Sequence, residues 1–226
     1  MSTAPPRIFL LSPANLGGER AAFIFNPKAR FDLAQRLHAG EDVMMGEVFT
    51  FVSGLYFRGK LSYALAFARP PEGVEGVQVI TPSQGLRPAW EKVTLASLRR
   101  SATVDIDLRE PRYTKPLMRD ALALEAALAG HPDAEVVLLG SIASGKYVEL
   151  LQAALGPRLR FPSEFVGRGD MSRGGLLLRA VAAGAELAYV PLAGAARHGP
   201  RPAKLKPQPG VLARAMRNLP GGPRKP

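Results

Sequence analysis

Apolar and polar positions alternate along this chain with two different periods. Short, nearly continuous apolar runs stand at Arg7 to Leu11 (RIFLL), Val77 to Ile80 (VQVI), Glu135 to Leu139 (EVVLL) and Glu186 to Val190 (ELAYV), with a weaker fifth at Arg158 to Phe161. Each ends at or near Gly, Pro or Ser, as strands buried on both faces do. Between them the spacing is helical. Leu117, Ala121, Leu122, Leu124 and Leu128 fall on one predicted face, with Arg119, Asp120 and Glu125 opposite. Val148, Leu151 and Leu155 repeat the pattern, with Glu149 and Gln152 outward. The stretch Glu47 to Ala68 is apolar around most of its circumference, which predicts a central buried helix, or two helices joined at Gly54 or Gly59. A further helix is expected to run from a Ser172 cap to Gly184.

Alternation of this kind predicts an α/β fold: a mostly parallel open sheet with helices on both faces and right-handed crossovers. Residues 1–198 read as one such domain. From Gly199 onward Pro and basic residues dominate and the periodicity fades, so residues 199–226 read as a basic, Pro-rich, flexible tail. At 226 residues and 46% hydrophobic content the chain is long enough to bury a substantial core. The absence of Cys excludes disulfides, thiolate zinc sites and a cysteine nucleophile. The first apolar run is too short for a signal peptide, and Arg179 and Glu186 interrupt the longest later one, so a cytoplasmic protein without a membrane span is expected.

The net charge of +11 is unevenly placed. From Leu187 onward there is no Asp or Glu, while eight Lys and Arg residues follow, Arg197 to Lys225. Such a segment can contact nucleic acid by releasing counterions.

In open parallel sheets ligands bind beyond the carboxyl ends of the strands. Three strand ends here carry small polar residues: Ser12-Pro-Ala-Asn15, Thr81-Pro-Ser83-Gln84-Gly85, and Gly140-Ser141-Ile-Ala-Ser144-Gly145. In a parallel sheet they converge on one rim, although tight strand-to-helix turns favour the same residues with no ligand at all. The third continues into Lys146 and matches a phosphate-binding P-loop in all but its last position, where Tyr147 replaces the magnesium-binding hydroxyl. An NTPase is therefore not expected, while anion binding by the backbone and Lys146 is.

The loop Phe165 to Gly175 holds Arg168, Asp170, Ser172 and Arg173. Either the two arginines clamp a phosphate or carboxylate, with Ser172 adding a donor and Asp170 acting on the substrate, or Asp170 caps the helix and pairs with Arg173. A hydrolase order Ser83, Asp170, His198 is also present, but Pro82 and Pro88 obstruct the strained turn that a nucleophile elbow requires. His38 and His131 read as loop residues. No spacing suggests a metal site and no motif requires a cofactor.

The segments LYFRGKLSYALAFARP (Leu55 to Pro70), VQVITPSQGL (Val77 to Leu86) and VTL (Val93 to Leu95), with the opening LLSPAN (Leu10 to Asn15), resemble bacterial domains related to the YaaA peroxide-stress family. The resemblance covers about the first half of the chain. In that family both turns carry a basic residue, where Asn15 and Gln84 stand here. What it implies is a DNA- or nucleobase-associated role.

The reading that follows is a protein binding a nucleotide, nucleobase or nucleic acid at the carboxyl rim. Lys146, Arg168 and Arg173 would meet phosphate, and Ser12, Asn15, Ser83, Gln84 and Ser141 would read the rest. The alternatives are a transferase or hydrolase acting on an anionic small molecule, with Asp170 as its catalytic group, and a non-catalytic interaction module.

Overall fold

The computed structural model describes residues 4–143, 145–203 and 205. In chain order the elements are β1 (Arg7–Leu11), α1 (Glu19–Phe25), α2 (Asp32–His38), β2 (Val43–Met44), α3 (Met45–Ser53), α4 (Leu55–Phe67), β3 (Val77–Thr81) and β4 (Gly85–Pro88). There follow β5 (Lys92–Val93), α5 (Leu95–Ala102), α6 (Pro111–Ala127), β6 (Glu135–Leu139), α7 (Val148–Leu155), β7 (Leu159–Pro162), α8 (Asp170–Ala183) and β8 (Tyr189–Pro191).

The chain folds as the expected α/β domain. Six strands form one sheet in the order β4-β3-β1-β6-β7-β8, and β2 and β5 form a separate two-stranded ribbon. The four inner strands are parallel, while β4 and β8 are antiparallel edges. β1 lies between β3 and β6, and all five of its residues are buried. That double-sided burial is why its apolar run is continuous.

Arg7, the one charge in β1, is matched at the amino end of the sheet. It donates to Glu135 and Glu186 at 2.6 Å each, and Arg69 also reaches Glu186 at 2.9 Å. These arginines hold the Glu186 carboxyl below its ordinary pKa against the opposing effect of burial.

The two helices expected in the apolar stretch are α3 and α4. They part at Gly54, whose φ of +60° is a conformation that side-chain-bearing residues rarely adopt. α4 packs on α8 and β1, and α6 packs on α7, β3 and β4, giving the sheet helices on both faces. No helix among the described residues is long and apolar enough to cross a membrane.

Four local expectations need correction. Thr81 to Gly85 is not a strand-to-helix turn. It closes a hairpin between β3 and antiparallel β4, with Thr81 Oγ1 donating to the Gly85 carbonyl and accepting from the Gln84 amide, both at 2.9 Å. Ser172 does not cap α8. That helix begins at Asp170 with Gly169 at its cap position, and Ser172 lies inside the first turn. Leu122, placed on the buried face of α6 by spacing, is 52% exposed. The last strand is shorter and later than its apolar run, because Glu186 turns to the arginines at the sheet's amino end. The expected flexible tail, residues 199–226, falls mostly outside the described residues, but its described start rests on the domain. The Gly199 and Pro200 carbonyls come close to Gly167, and Leu205 packs against the core.

Candidate functional site at the carboxyl rim

The chain leaves β1 toward β3 on one side and leaves β6 toward β7 on the other. A crevice opens beyond the carboxyl ends of two adjacent strands whose connections diverge in this way. Here it is a cleft of about 510 Å³, reached by Ser12 and Asn15 after β1, Pro82 after β3, Ser141 and Lys146 after β6, and Asp170 at the start of α8. Tyr56 of α4 and Ser101, Ala102, Val104, Asp105 and Ile106, at and beyond the end of α5, form further walls.

The turn after β1 is held by its own side chain. Asn15 Oδ1 accepts from the Gly17 amide at 3.0 Å, and its carbonyl accepts from Gly18 at 3.3 Å. The amides of Ala14, Asn15 and Leu16 meet no protein acceptor among the described residues.

The turn after β6 lies directly beside it, since the Ser12 amide donates to the Leu139 carbonyl at 3.1 Å. Gly140 makes this approach possible. A Cβ there would lie 2.8 Å from Ser12 Cβ and 2.9 Å from the Tyr147 hydroxyl. Tyr147, the residue that breaks the P-loop pattern, is buried, and its hydroxyl donates to the Ser141 carbonyl at 2.6 Å while facing the Ser12 side chain. Burial pushes its phenol up to about 12, so it is a proton donor at neutral pH. Tyr113 of α6 steadies the same turn by donating to the Lys146 carbonyl at 3.2 Å. The exposed Lys146 side chain forms no ion pair among the described residues.

Behind Ser12 stands Lys60 of α4, only 1% exposed. Its Nζ contacts the Ser12 carbonyl at 2.6 Å and Ser12 Oγ at 2.8 Å, above the rings of Tyr56 and Phe57 at 4.6 and 4.8 Å. It has no carboxylate within ion-pair distance among the described residues. Burial lowers its pKa to about 7, with Asp170 opposing and Arg173 reinforcing the effect. Lys60 was missed in the sequence. The available signal was a pair of charges, Arg58 and Lys60, in a segment apolar around most of its circumference, of which the fold buries Lys60.

Of the residues singled out in the sequence, Ser12, Asn15, Ser141, Lys146 and Asp170 line the cleft together. Ser83, Gln84 and Gly85 belong to the β3–β4 hairpin and do not line it, although Ser83 shares a 3.0 Å hydrogen bond with Ser101 on the cleft wall. Gly140 and Gly145 shape the turn without lining the cleft, and Ser144 is outside the described residues.

The two arginines are committed elsewhere. Arg173 is buried and donates through Nε and Nη2 to the Phe165 carbonyl at 3.2 Å each, with Nη1 3.5 Å from Asp170. Arg168 donates to the Glu164 carbonyl at 2.9 Å and to Ser172 Oγ at 3.3 Å, and Arg168 and Ser172 line a separate depression with Arg201 and Leu205. The pairing of Asp170 with Arg173 expected of a structural loop is therefore present, while the Asp170 side chain stays 67% exposed at the cleft edge.

Comparison with protein-family models, with curated proteins and with solved structures returned no match.

Proposed function

We propose that this protein binds a nucleotide, or an anionic small molecule of similar size, in the cleft between the ends of β1 and β6. The observation that carries this reading is the cleft's place at the divergence of the two connections, joined there by one unpaired cation, Lys146. A volume of about 510 Å³ falls within the range of small-molecule sites. Lys146 and the unpaired amides of the β1 turn supply donors to a phosphate or carboxylate, and Asn15, Ser141 and Asp170 supply polar groups to the remainder. The resemblance to YaaA-related domains supports a nucleobase-containing ligand. The arginines of the Phe165 to Gly175 loop have no part in this reading, since Arg168 is engaged by the Glu164 carbonyl and Ser172, and Arg173 by the Phe165 carbonyl and Asp170.

Calorimetric titration with a panel of nucleoside mono-, di- and triphosphates, beside the parent nucleosides, tests the proposal. A nucleotide should bind, the nucleoside should bind more weakly, and Lys146→Ala should cost roughly tenfold in affinity, the scale of one charge-assisted contact. Absence of binding across the panel at millimolar concentration would refute it.

A further inference from the structure

Lys60 is the buried ionisable group that ligand binding at the rim leaves unexplained. An ammonium without a carboxylate partner is expensive to bury, and unpaired lysines are retained where a neutral amine does chemistry. Of the polar groups that Lys60 Nζ contacts, both belong to Ser12, and Ser12 lines the cleft. A neutral amine can donate to the Ser12 carbonyl at 2.6 Å while its lone pair accepts the Ser12 hydroxyl proton across 2.8 Å. This is the hydrogen-bonded pairing of nucleophile and base that serine–lysine dyads use.

We infer that Ser12 is a nucleophile with Lys60 as its general base, and that the cleft carries out acyl transfer on an anionic ester or amide. The inference rests on the cleft being the ligand site proposed above. In the first step the Ser12 Oγ–H bond breaks and its proton passes to Lys60 Nζ. Oγ bonds to the substrate's carbonyl carbon, and the tetrahedral intermediate collapses by breaking the bond to the leaving oxygen or nitrogen, which takes the proton from Nζ. A water then attacks the Ser12 ester and gives one proton to Nζ, which returns it to Oγ as the carboxylic acid departs. The donors left for the developing oxyanion, among the described residues, are the turn amides of Ala14, Asn15 and Leu16, since the one Tyr147 hydroxyl proton goes to the Ser141 carbonyl.

Phosphoryl transfer fits less well. It spreads charge over three equatorial oxygens and is served by several cations. Lys146 is the one cation lining the cleft among the described residues, Arg168 and Arg173 being turned to carbonyls.

The titration of the dyad depends on all that faces Lys60. Tyr56 and Phe57 come from its own helix, Ser12 from the end of β1, Asp170 and Arg173 from α8, and Tyr147 from the turn before α7 through Ser12. Burial dominates and places the lysine's midpoint at about 7.

An alkyl fluorophosphonate tests the assignment on the full chain. Attack by Ser12 forms an Oγ–P bond, breaks P–F, sends the proton to Nζ and releases fluoride. A single adduct is expected by intact mass, mapping to Ser12 and absent in Ser12→Ala. Its rate should rise through a midpoint near pH 7 and fall by roughly 100-fold in Lys60→Met, the scale of general-base assistance. The wild-type pH profile stands whether or not the buried variant folds. No adduct at Ser12, or a rate indifferent to pH and to Lys60→Met, overturns the dyad. If nucleotides bind and no adduct forms, the dyad fails and the ligand site stands. If Ser12 is labelled and no ligand of the cleft slows it, the dyad stands and the nucleotide reading fails.

Discussion

Replacing Lys60 with methionine should make the protein more stable at neutral pH. Methionine matches the length of the lysine stem and keeps its apolar contacts with Tyr56 and Phe57. The lysine's pKa falls from 10.5 in the unfolded chain to about 7 in the fold. At roughly 1.4 kcal/mol per pH unit, protonation is disfavoured by on the order of 4–5 kcal/mol, of which about 4 kcal/mol is felt at pH 7. Between pH 7 and 10.5 the unfolded chain holds the proton and the native state does not, so wild-type stability rises with pH across that window. Below pH 7 both states are protonated and the whole penalty stands. Against this, methionine loses two hydrogen bonds to Ser12, about 1 kcal/mol each. The net gain at pH 7 is therefore about 1–3 kcal/mol, or roughly 3–10 °C in Tm for a domain of this size. Urea denaturation of both proteins from pH 6 to 9.5 measures it. The upper limit avoids the tyrosines, several of which burial holds protonated past the pH at which the unfolded chain ionises them. The advantage of Lys60→Met should be nearly constant below pH 7 and shrink steadily as pH rises above it. A variant less stable than wild type at pH 7, with a parallel pH profile, would show that Lys60 is charged and well served in the fold, and the reasoning would fail.

Two further changes probe the frame around the site. Gly174 of α8 meets α4 backbone to backbone: a Cβ there would lie 2.7 Å from the Leu55 carbonyl oxygen and 2.9 Å from Tyr56 Cα. Gly174→Ala, a change worth up to about 1 kcal/mol of stabilisation in an open helix, should instead cost about 1–3 kcal/mol by overpacking, read as a fall in the urea midpoint. Arg158 donates to Glu125 at 2.9 Å and to the carbonyls of Leu128 and His131 at 3.1 and 2.5 Å, closing the end of α6 at the sheet's amino side. Arg158→Ala should cost about 2–3 kcal/mol by stranding these acceptors while leaving nucleotide affinity at the opposite rim unchanged.

The inner strands were legible because burial on both faces leaves β1, β3 and β6 with nearly continuous apolar runs, broken only by Arg7, Gln78, Thr81 and Glu135. The edges were not. β4, with the sequence Gly-Leu-Arg-Pro, is only partly buried and carries no strand period. The residues before it favour a tight turn without choosing whether a strand or a helix follows. That choice lies in tertiary contacts absent from the local sequence: the Leu86 amide donates to Asp120 of α6 at 3.0 Å, fixing the antiparallel return. Leu122 failed for a local reason. The buried positions Tyr113, Leu117, Ala121 and Leu124 keep the three-to-four spacing of one stripe, and Leu122, one step on from Ala121, falls outside it and faces solvent.

The candidate site divides along the same line. Ser12, Asn15, Ser141 and Lys146 were readable because strand ends in a parallel sheet share one rim whatever the strand order. Lys60 was hidden because a helical position has no such rule, and what it touches depends on a crossing that the spacing of α4 does not encode. Its sequence neighbours still held the clue. Residues 55–67 bury Tyr56, Phe57, Tyr63 and Ala64 with a charge among them. A lysine in that setting works against the fold by several kcal/mol unless it is neutral or paired, and among the described residues no carboxylate within ion-pair distance pairs it. Natural sequences break their own local pattern chiefly where function requires it. The buried Lys60 is therefore the stronger departure from local pattern, while the near-match to a P-loop owes its first glycine, Gly140, to the packing of Tyr147 against Ser12.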